Sequence, residues 1–496
     1  MQEIELKLVV PGTARESVLR ALQHQPHADG SKPLQQRLMA AYYDTPDRRL
    51  AHAGMALRVR KEGPRWVQTL KAGGPNALQR LEHNVPLRVK RGARPTVDPQ
   101  RHAGTPAGEA LATALAPRES DAHAPELIEL YRTDIQRRSS EISVPGGVLE
   151  LAFDEGWIAT GERRVPVCEL EIELVSGEPQ AVIDQARHWI RSHGLWLDVH
   201  TKAHRGDHLA RSVDPAPAAP AFPPLPADAT LGVAWQRIHT TLLDALLDNA
   251  SSLSSDRGTP DHVHALRVGL RRLRSTWKLF APHGLAPGEA TQDAAVALFR
   301  QLGPVRDADT LTMLWPRLQA AGCPNLNLPS TAQTLSAPDL LRGPSVSLLW
   351  LDLLETAVAG STAESADRPA RAPINERLRR WHRRAAKEAK APDLNEAALH
   401  ELRKRLKRLR DGVELGLVFL PRKAARRHLG VLREALDALG AFNDLLVAQA
   451  RFHAVTEHEP RAWFALGWLA AHRQQSLHAA EAALKRWRRA EGFWRG

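Results

Sequence analysis

Residues 1–205 repeatedly alternate apolar and charged side chains with the two-residue period of a β-strand. In the opening strand, residues 2–8, Glu3, Glu5 and Lys7 share one face, opposite isoleucine and leucine. Charged side chains are rarely buried without partners, so this face must meet solvent, an ion pair or a ligand. Two carboxylates beside an ammonium suit a divalent cation next to a phosphate, because hard cations prefer carboxylate oxygens.

The most acidic strand of the chain spans residues 168–174. Glu169, Glu171 and Glu173 share one of its faces. Three like charges in a row on a strand face repel one another, so a bound cation or opposing arginines must relieve the repulsion.

Further predicted strands lie between these two and continue the alternation. They are 36–45, 56–61, 65–71, 79–87, 129–141 and 149–154, and Lys202 is predicted to lie in a last short extended piece. Their charged residues include Arg58, Arg60, Lys71, Glu82, Arg137 and Asp154. Arg80, Arg132 and Arg138 are interpreted as partners in surface salt bridges, which contribute little stability.

About eight such strands need an arrangement that turns every apolar face one way and every charged face the other. A closed antiparallel barrel does this if the charged faces line the lumen and helices, predicted at 14–24 and 180–193, cover the outside. Such a tunnel suits a metal–polyphosphate complex, because carboxylates bind the cation while arginine and lysine bind phosphate oxygens. With a helical second half, this predicts a multidomain α+β protein.

Five short motifs of this region resemble the CYTH domain of the triphosphate tunnel metalloenzymes. They are Glu-Ile-Glu-Leu-Lys at 3–7, Tyr-Tyr-Asp-Thr-Pro-Asp at 42–47, Leu-Arg-Val-Arg at 57–60, Thr-Leu-Lys at 69–71 and Glu-Leu-Glu-Ile-Glu-Leu at 169–174. The resemblance covers residues 1–205 and implies an eight-stranded antiparallel β tunnel barrel. It also implies Mg²⁺ or Mn²⁺ as cofactor and hydrolysis of the terminal phosphoanhydride of inorganic triphosphate.

The same resemblance implies a role for each charged lumen residue. The metal ligands would be Glu3, Glu5, Glu171 and Glu173, with Glu169 on the same face as a further candidate. The catalytic residues that contact phosphate would be Lys7, Arg58, Arg60, Lys71, Arg137 (or its neighbour Arg138) and Lys202. Glu82 and Asp154 would be additional acidic lumen positions. A class IV-type adenylate cyclase is an alternative, although no adenine-recognising residues are visible.

A proline- and alanine-rich stretch at 206–230 divides the chain and is predicted to be a semi-rigid linker. Residues 1–228 hold 29 Lys and Arg against 29 Asp and Glu, whereas residues 229–496 hold 39 against 27. The formal net charge of +12 therefore lies in the second part, which indicates a polyanionic partner. Helical periodicity there predicts an all-α domain at 231–496.

Two basic stripes characterise the helical part. The first, spaced by three and four residues on one helix face, comprises His264, Arg267, Arg271, Arg274 and Lys278. The second begins 136 residues later and comprises His400, Arg403, Lys407 and Arg410. Leu-Gly at 302–303 likewise recurs at 439–440, which indicates a duplication with repeats at about 231–345 and 375–496.

These stripes and the duplication resemble the CHAD domain, an α-helical domain of two similar bundles. The resemblance implies binding of inorganic polyphosphate through the stripes, and CYTH followed by CHAD is a known arrangement. Arg306-Asp307 and Asn443-Asp444 follow the repeated Leu-Gly, and we expect them to orient the arginines. His264 and His400 could instead bind a metal, although no acidic partner lies at ligand spacing.

The sequence as a whole predicts an inorganic triphosphatase whose partners are inorganic triphosphate and inorganic polyphosphate. No apolar run reaches the length of a membrane span, so a cytoplasmic protein is expected, one that could associate with polyphosphate granules. Nucleic acid is not an expected partner, because the stripes lack interleaved aromatic side chains. The alternative from another class is a catalytically inactive scaffold that binds polyphosphate.

Overall fold

The computed structural model describes residues 2–25, 33–76, 78–90, 93–118, 125–303, 314–326, 336–360, 363–391 and 394–494. The chain forms two compact units. The first comprises Met1–Ala218, Leu247–His262 and Pro338–Val358, and the second comprises Ala219–Leu246, Val263–Ala337 and Ala359–Gly496. The predicted domain limits at residues 205 and 230 stay a prediction.

A nine-stranded antiparallel sheet dominates the described part of the first unit. Its strands are β1 (Gln2–Val9), β2 (Leu34–Asp44), β3 (Ala56–Glu62), β4 (Arg65–Asn76), β5 (Gln79–Leu87), β6 (Ile128–Val144), β7 (Gly147–Thr160), β8 (Arg163–Gly177) and β9 (Trp196–Leu197). The order is β5-β4-β3-β2-β6-β7-β8-β1-β9, and β5 also pairs with β1. The second pairing closes β1–β8 into the predicted eight-stranded barrel, which is confirmed.

Strand β1 closes the barrel because it pairs with a different neighbour on each side. Near its start Glu3 lies opposite Arg80 of β5, and further along Glu5 lies opposite Glu173 of β8. Side chains of directly opposite residues point to the same face of a sheet. This register therefore brings the two acidic strand faces of the sequence together.

In the described part of this region, five helices accompany the barrel: α1 (Arg15–Gln23), α2 (Arg49–His52), α3 (Pro106–Ala114), α4 (Pro179–His193) and α5 (Lys202–Arg211). Helix α4 packs on β1 and β8. Leu8, Leu170 and Ile172 of those strands are fully buried, as is Trp189 of the helix. Burying side chains of this kind stabilises the fold by roughly 1.5–3 kcal/mol each. The apolar strand faces thus point out of the barrel and leave the charged faces inside.

Lys202 does not lie in a strand, and that prediction was wrong. The short extended piece is β9, and Lys202 begins helix α5. Thr201 caps this helix, because its hydroxyl oxygen accepts a hydrogen bond from the backbone N–H of His204 at 3.0 Å. The cap satisfies an amide that would otherwise lack a partner at the helix start.

Further helices among the described residues include α6 (Leu231–Ser254), α7 (Pro260–Phe280), α8 (Glu289–Gln301), α9 (Ala337–Arg342), α10 (Pro344–Val358), α11 (Arg371–Glu388), α12 (Glu396–Leu415), α13 (Arg422–His453) and α14 (Ala462–Arg489). The helical second part is therefore confirmed. None of the helices in the described ranges has the length and apolar character needed to cross a membrane.

Helices α7 and α12 carry the two basic stripes and bury their apolar faces. The buried side chains of α7 include Leu266, Leu270, Leu273 and Trp277. Those of α12 include Leu399, Leu402, Leu406 and Leu409. Each apolar face anchors its helix in the second unit and so determines where the neighbouring stripe points.

Candidate functional site

The barrel contains a cavity of about 600 Å³ whose walls carry most of the predicted lumen residues. Those that line it are Glu3, Glu5, Lys7, Arg58, Arg60, Lys71, Glu82, Arg137, Asp154, Glu171, Glu173 and Lys202. Glu169 is buried and is not among the residues that line the cavity. The fold thus collects, around one cavity, charges that are up to 199 residues apart in the chain.

Three carboxylates of the cavity, those of Glu3, Glu5 and Glu173, have too few cations beside them to balance their charge. We call these three residues the Glu3 group. Lys71 Nζ lies 2.8 Å from both oxygens of Glu3, and Arg80 Nη1 lies 3.0 Å from Glu5 Oε1. Glu173 has no side-chain hydrogen bond or ion pair in the part of the chain that the structure describes.

The pKa values of Glu3 and Glu173 reflect their burial and the carboxylates around them. Burial, with Glu5 and Glu82 close by, raises the pKa of Glu3 to about 8 although Lys71 opposes the shift. Burial and the charge of Glu5 likewise raise the pKa of Glu173 to about 7. A cation placed among these carboxylates would favour their ionised forms.

A second set, Asp154, Glu169 and Glu171, is called here the Glu169 group and is matched by protein cations. Lys202 Nζ lies 2.6 Å from Asp154, 2.5 Å from Glu169 and 2.7 Å from Glu171. Arg137 binds both oxygens of Asp154 at 2.7 Å and also contacts Glu171. Arg205 contacts Glu169.

These cations reverse the effect of burial on acidity. Burial alone would raise the pKa of Glu169, but Arg205, Lys202 and Lys7 outweigh it and lower the pKa to about 2. Lys202 and Arg137 likewise hold the pKa of Glu171 well below its usual range against the effect of burial. Glu169 and Glu171 are therefore ionised and already paired with protein cations.

Three arginines of the cavity lie close enough to affect one another. Burial lowers the pKa of Arg60, and the nearby charges of Arg58 and Arg137 lower it further. Arg58 Nη1 donates to the hydroxyl of Tyr42 at 3.2 Å. Its buried Nε has no hydrogen-bond partner among the described residues. Converging guanidinium groups with an unused donor are suited to an anion such as phosphate.

Two lumen cations were misjudged or missed in the sequence. Arg80 was interpreted as a surface salt bridge, but it lines the cavity and binds Glu5. The strand alternation already placed it on the same face as Glu82, so this signal was available. Arg205 was missed because its segment was predicted to be extended, whereas helix α5 places it one turn after Lys202. Arg132 does form the expected exposed pair, with Glu129.

In the second unit, the stripe of α7 combines half-buried arginines with exposed ends. His264 and Lys278 are exposed, and Arg267, Arg271 and Arg274 are half-buried. Arg267 Nη1 donates to the carbonyl of Phe299 at 2.9 Å. The Phe299 ring also lies 4.5 Å from the Arg267 guanidinium and 5.4 Å from that of Arg274. Aromatic and backbone contacts thus hold these arginines in place.

Residues of both stripes converge in a set that we call the basic cluster: Arg271, Arg403, Lys407 and Arg410. Arg271 binds both oxygens of the buried Asp411 at 3.1 Å. Burial, with the charges of Arg403, Arg271 and Arg410, lowers the pKa of Lys407 to about 7. The buried Nε atoms of Arg403 and Arg410 have no hydrogen-bond partner among the described residues. The cluster therefore carries an excess of positive charge with unused donors.

The contacts of the stripes repeat with the duplication. A Cβ built on Gly303 would lie 3.5 Å from Arg267, and one built on Gly440 would lie 3.5 Å from Arg403. His400 Nδ1 lies 3.0 Å from Asn443 Oδ1. Burial lowers the pKa of Arg403, and the charge of Asp444 opposes this shift. Arg306-Asp307, the corresponding pair of the first repeat, lies outside the described residues.

Two known protein families match the chain, one in the barrel region and the other in the helical region. The CYTH domain family matches residues 1–206, and the CHAD domain family matches residues 237–453. An inorganic triphosphatase from Haemophilus influenzae is 30% identical over 215 residues, which are 42% of this chain and 54% of that protein. The chain therefore spans about half the length of this curated relative.

Solved structures of other proteins are also similar to parts of this chain. The CHAD domain from the plant Ricinus communis is 27% identical, covers 54% of this chain and 96% of its own, and has a TM-score of 0.44. A putative adenylyl cyclase from Hippeastrum, reported to have a dominant triphosphatase activity, is 20% identical, covers 42% and 96%, and has a TM-score of 0.27. The two family matches show that the chain joins a CYTH domain to a CHAD domain.

Proposed function

We propose that the barrel hydrolyses the terminal phosphoanhydride of inorganic triphosphate with the help of Mg²⁺ or Mn²⁺. We further propose that the basic cluster binds inorganic polyphosphate. The observation that carries the first proposal is a single cavity in which an under-neutralised set of carboxylates faces converging arginines. The likeness to an inorganic triphosphatase supports the choice of substrate.

The Glu3 group fits a hard divalent cation. Its donors are carboxylate oxygens, which Mg²⁺ and Mn²⁺ prefer. The raised pKa values of Glu3 and Glu173 show that burial and neighbouring carboxylates disfavour their ionised forms, although Lys71 opposes this effect. Glu3, Glu5 and Glu173 would therefore hold the cation. Glu171 and Glu169, the other predicted ligands, are already paired with protein cations, so we assign them to positioning Lys202 and Arg137. A bound cation would add positive charge beside the phosphate oxygens.

The chain's own cations would bind and orient the triphosphate. Arg58, Arg60 and Arg137 can direct their remaining N–H groups to non-bridging oxygens, because guanidinium groups are good donors to phosphate. Negative charge on the leaving phosphate rises as the anhydride bond breaks, and fixed cations stabilise it. Because Asp154 and Glu171 hold Arg137 in place, little reorganisation is needed when that charge develops.

The decisive test is phosphate release from inorganic triphosphate with Mg²⁺ or Mn²⁺ and with a chelator. Metal-dependent release by the wild-type chain, reduced at least about 100-fold in Glu5→Ala, is expected if the Glu3 group is the metal site. Arg132→Ala is the matched control, because Arg132 belongs to the same barrel but forms an exposed pair. No release from triphosphate or ATP would overturn the proposal and favour a polyphosphate-binding scaffold, whereas cyclic AMP formed from ATP would favour the cyclase.

The polyphosphate proposal rests on the basic cluster. Arg271 and Arg410 share the buried Asp411, and the buried Nε atoms of Arg403 and Arg410 make no hydrogen bond among the described residues. A flexible polyanion that contacts several of these groups would relieve their mutual repulsion. Such binding would bring the protein to cytoplasmic polyphosphate granules.

A further inference from the structure

Two imidazoles and a carboxylate lie together at the wall of the barrel cavity, apart from both carboxylate groups. They belong to His200, His204 and Asp248, all within the first unit. His200 Nε2 lies 3.0 Å from Asp248 Oδ1. The His200 and His204 rings stack with centroids 4.1 Å apart. One ligand atom from each of the three residues lies within 4.8 Å of the others.

The backbone around His200 is held on both sides. Its N–H donates to Asp198 Oδ1 at 2.8 Å, and its carbonyl accepts a hydrogen bond from Lys7. The preceding amide, of Val199, donates at 3.0 Å to the hydroxyl of Ser251 on α6, the helix that carries Asp248. These bonds fix the backbone of His200 beside α6, the helix that carries Asp248, and support of this kind around the ligands is what a metal site needs.

His204 has ring nitrogens that the protein does not use. Neither nitrogen makes a hydrogen bond within the described part of the chain. Other histidines of this unit use their ring nitrogens in hydrogen bonds. His102 contacts Gln68 at 2.9 Å and His83 at 2.9 Å, and His208 Nδ1 contacts the Val213 carbonyl at 3.2 Å. A core histidine normally satisfies its ring nitrogens in this way. The His204 ring faces the cavity instead and is available to a ligand.

We propose that His200, His204 and Asp248 bind a first-row divalent transition metal of the zinc class. Imidazole is a preferred ligand of Zn²⁺, Co²⁺ and Ni²⁺, whereas Mg²⁺ prefers oxygen ligands. The metal class therefore differs from that proposed for the Glu3 group. Three protein ligands leave a fourth position, which water or an anion in the cavity can fill. This inference stands independently of the triphosphatase proposal, since it concerns metal binding alone.

The test is a titration of the metal-free full chain with Co²⁺ in the presence of excess Mg²⁺. Mg²⁺ fills sites made of carboxylates alone, so the remaining Co²⁺ binding reports on imidazole-containing sites. We expect one Co²⁺ per chain and a visible absorption band of the intensity typical of low-coordinate imidazole ligation. His204→Gln and Asp248→Asn should each weaken binding by at least about 100-fold, because each removes one of three ligands.

His208→Gln is the matched control, because His208 lies one turn further along the same helix, with its ring 4.5 Å from that of His204. It should bind Co²⁺ as the wild type does. A wild-type chain that takes up no Co²⁺ under excess Mg²⁺ overturns the proposal without any variant. Equal affinity in the wild type and His204→Gln, or an equal loss in His208→Gln, overturns the assigned ligands. Circular dichroism of each variant identifies any loss of fold.

Discussion

The barrel lumen and the basic cluster both collect arginine and lysine, but they hold these cations differently. In the lumen, Lys202 touches three carboxylates and Arg137 touches two. In the basic cluster, Asp411 is the buried carboxylate that Arg271 and Arg410 share. The lumen is close to electrical balance except at the Glu3 group, whereas the cluster has a clear positive excess.

This difference suits the two proposed tasks. Cations fixed by carboxylates on strands keep one geometry, as the placement of a reacting phosphate requires. A positive surface with few fixed partners can accept a long anion in several registers. Added salt should distinguish the two regions, because screening weakens the interactions of exposed charges more than it weakens buried ion pairs.

The largest expected effect is on stability, when one arginine is removed from each region. Arg137→Ala removes one of the two cations that pair with Asp154 and Glu171 and leaves them with Lys202, and Asp154 is fully buried. Breaking a buried ion pair in this way lowers the free energy of unfolding by about 3–5 kcal/mol. Arg403→Ala should cost far less, because it removes a cation that repels its neighbours. Hydrogen exchange of β6 and β7, and separately of α12, measures each effect locally. Equal loss of protection in the two variants would contradict the contrast.

A pH dependence should follow from the Glu3 group. Glu3 has a pKa of about 8 in the folded chain against an ordinary value of 4.5, so it stays protonated where the unfolded chain has ionised. Stability therefore falls as pH rises from 4.5 to 8. Each pKa unit corresponds to about 1.4 kcal/mol, so Glu3→Gln should gain at least about that much over the wild type between pH 5 and 8. Denaturation with and without Mg²⁺ measures this.

Glu169→Gln is the comparison, because the pKa of Glu169 is lowered to about 2. Its contribution is present above pH 4.5 and is lost as pH falls toward 2, the opposite sign. Mg²⁺ should flatten the pH dependence of the wild type but not that of Glu3→Gln. If the free energy of unfolding of the metal-free wild type did not change from pH 5 to 8, the raised pKa of Glu3 would be contradicted.

Much of this arrangement is local and could be predicted. Strict alternation in β1 and β8 revealed the charged faces, since the strand period is insensitive to the rest of the fold. The spacing of three and four residues revealed the stripe of α7 for the same reason. Closure of the barrel followed because about eight one-sided strands have few other ways to bury their apolar faces.

What could not be predicted depends on pairings between distant residues. The division of the carboxylates into a matched group and an under-neutralised group arises because α5 brings Lys202 and Arg205 to β8 but not to β1. Thr201 is a residue type suited to a helix N-cap and so indicates the start of α5, but the prediction of an extended segment did not take it into account. The contact between Asp248 and His200 joins two distant segments of the chain. Nothing in the sequence of either segment alone indicates this contact.

The basic cluster can be tested by its response to salt. Arg403→Gln with Arg410→Gln should weaken binding of labelled polyphosphate at least about tenfold and reduce the slope of log affinity against log salt by about one per lost phosphate contact. Arg380→Gln is the control, because Arg380 is an exposed partner of Glu376 on α11. Fluorescence anisotropy across a salt series gives both quantities. Glu5→Ala should leave polyphosphate binding unchanged; a parallel loss there would place binding in the lumen.

The smallest expected effect is a shift of polyphosphate affinity with pH. Lys407, with a pKa of about 7 caused by burial and its arginine neighbours, is only partly charged near neutral pH in the free chain. An anion favours the charged form, so binding takes up a proton and affinity should fall a few-fold between pH 6 and 8.5. Lys407→Arg stays charged throughout this range and should flatten the profile. Lys404→Arg is the control, because Lys404 is exposed and pairs with Glu401 at 2.7 Å. If Lys407→Arg kept the wild-type slope, the pH dependence would arise elsewhere and Lys407 would not be a ligand of the polyanion.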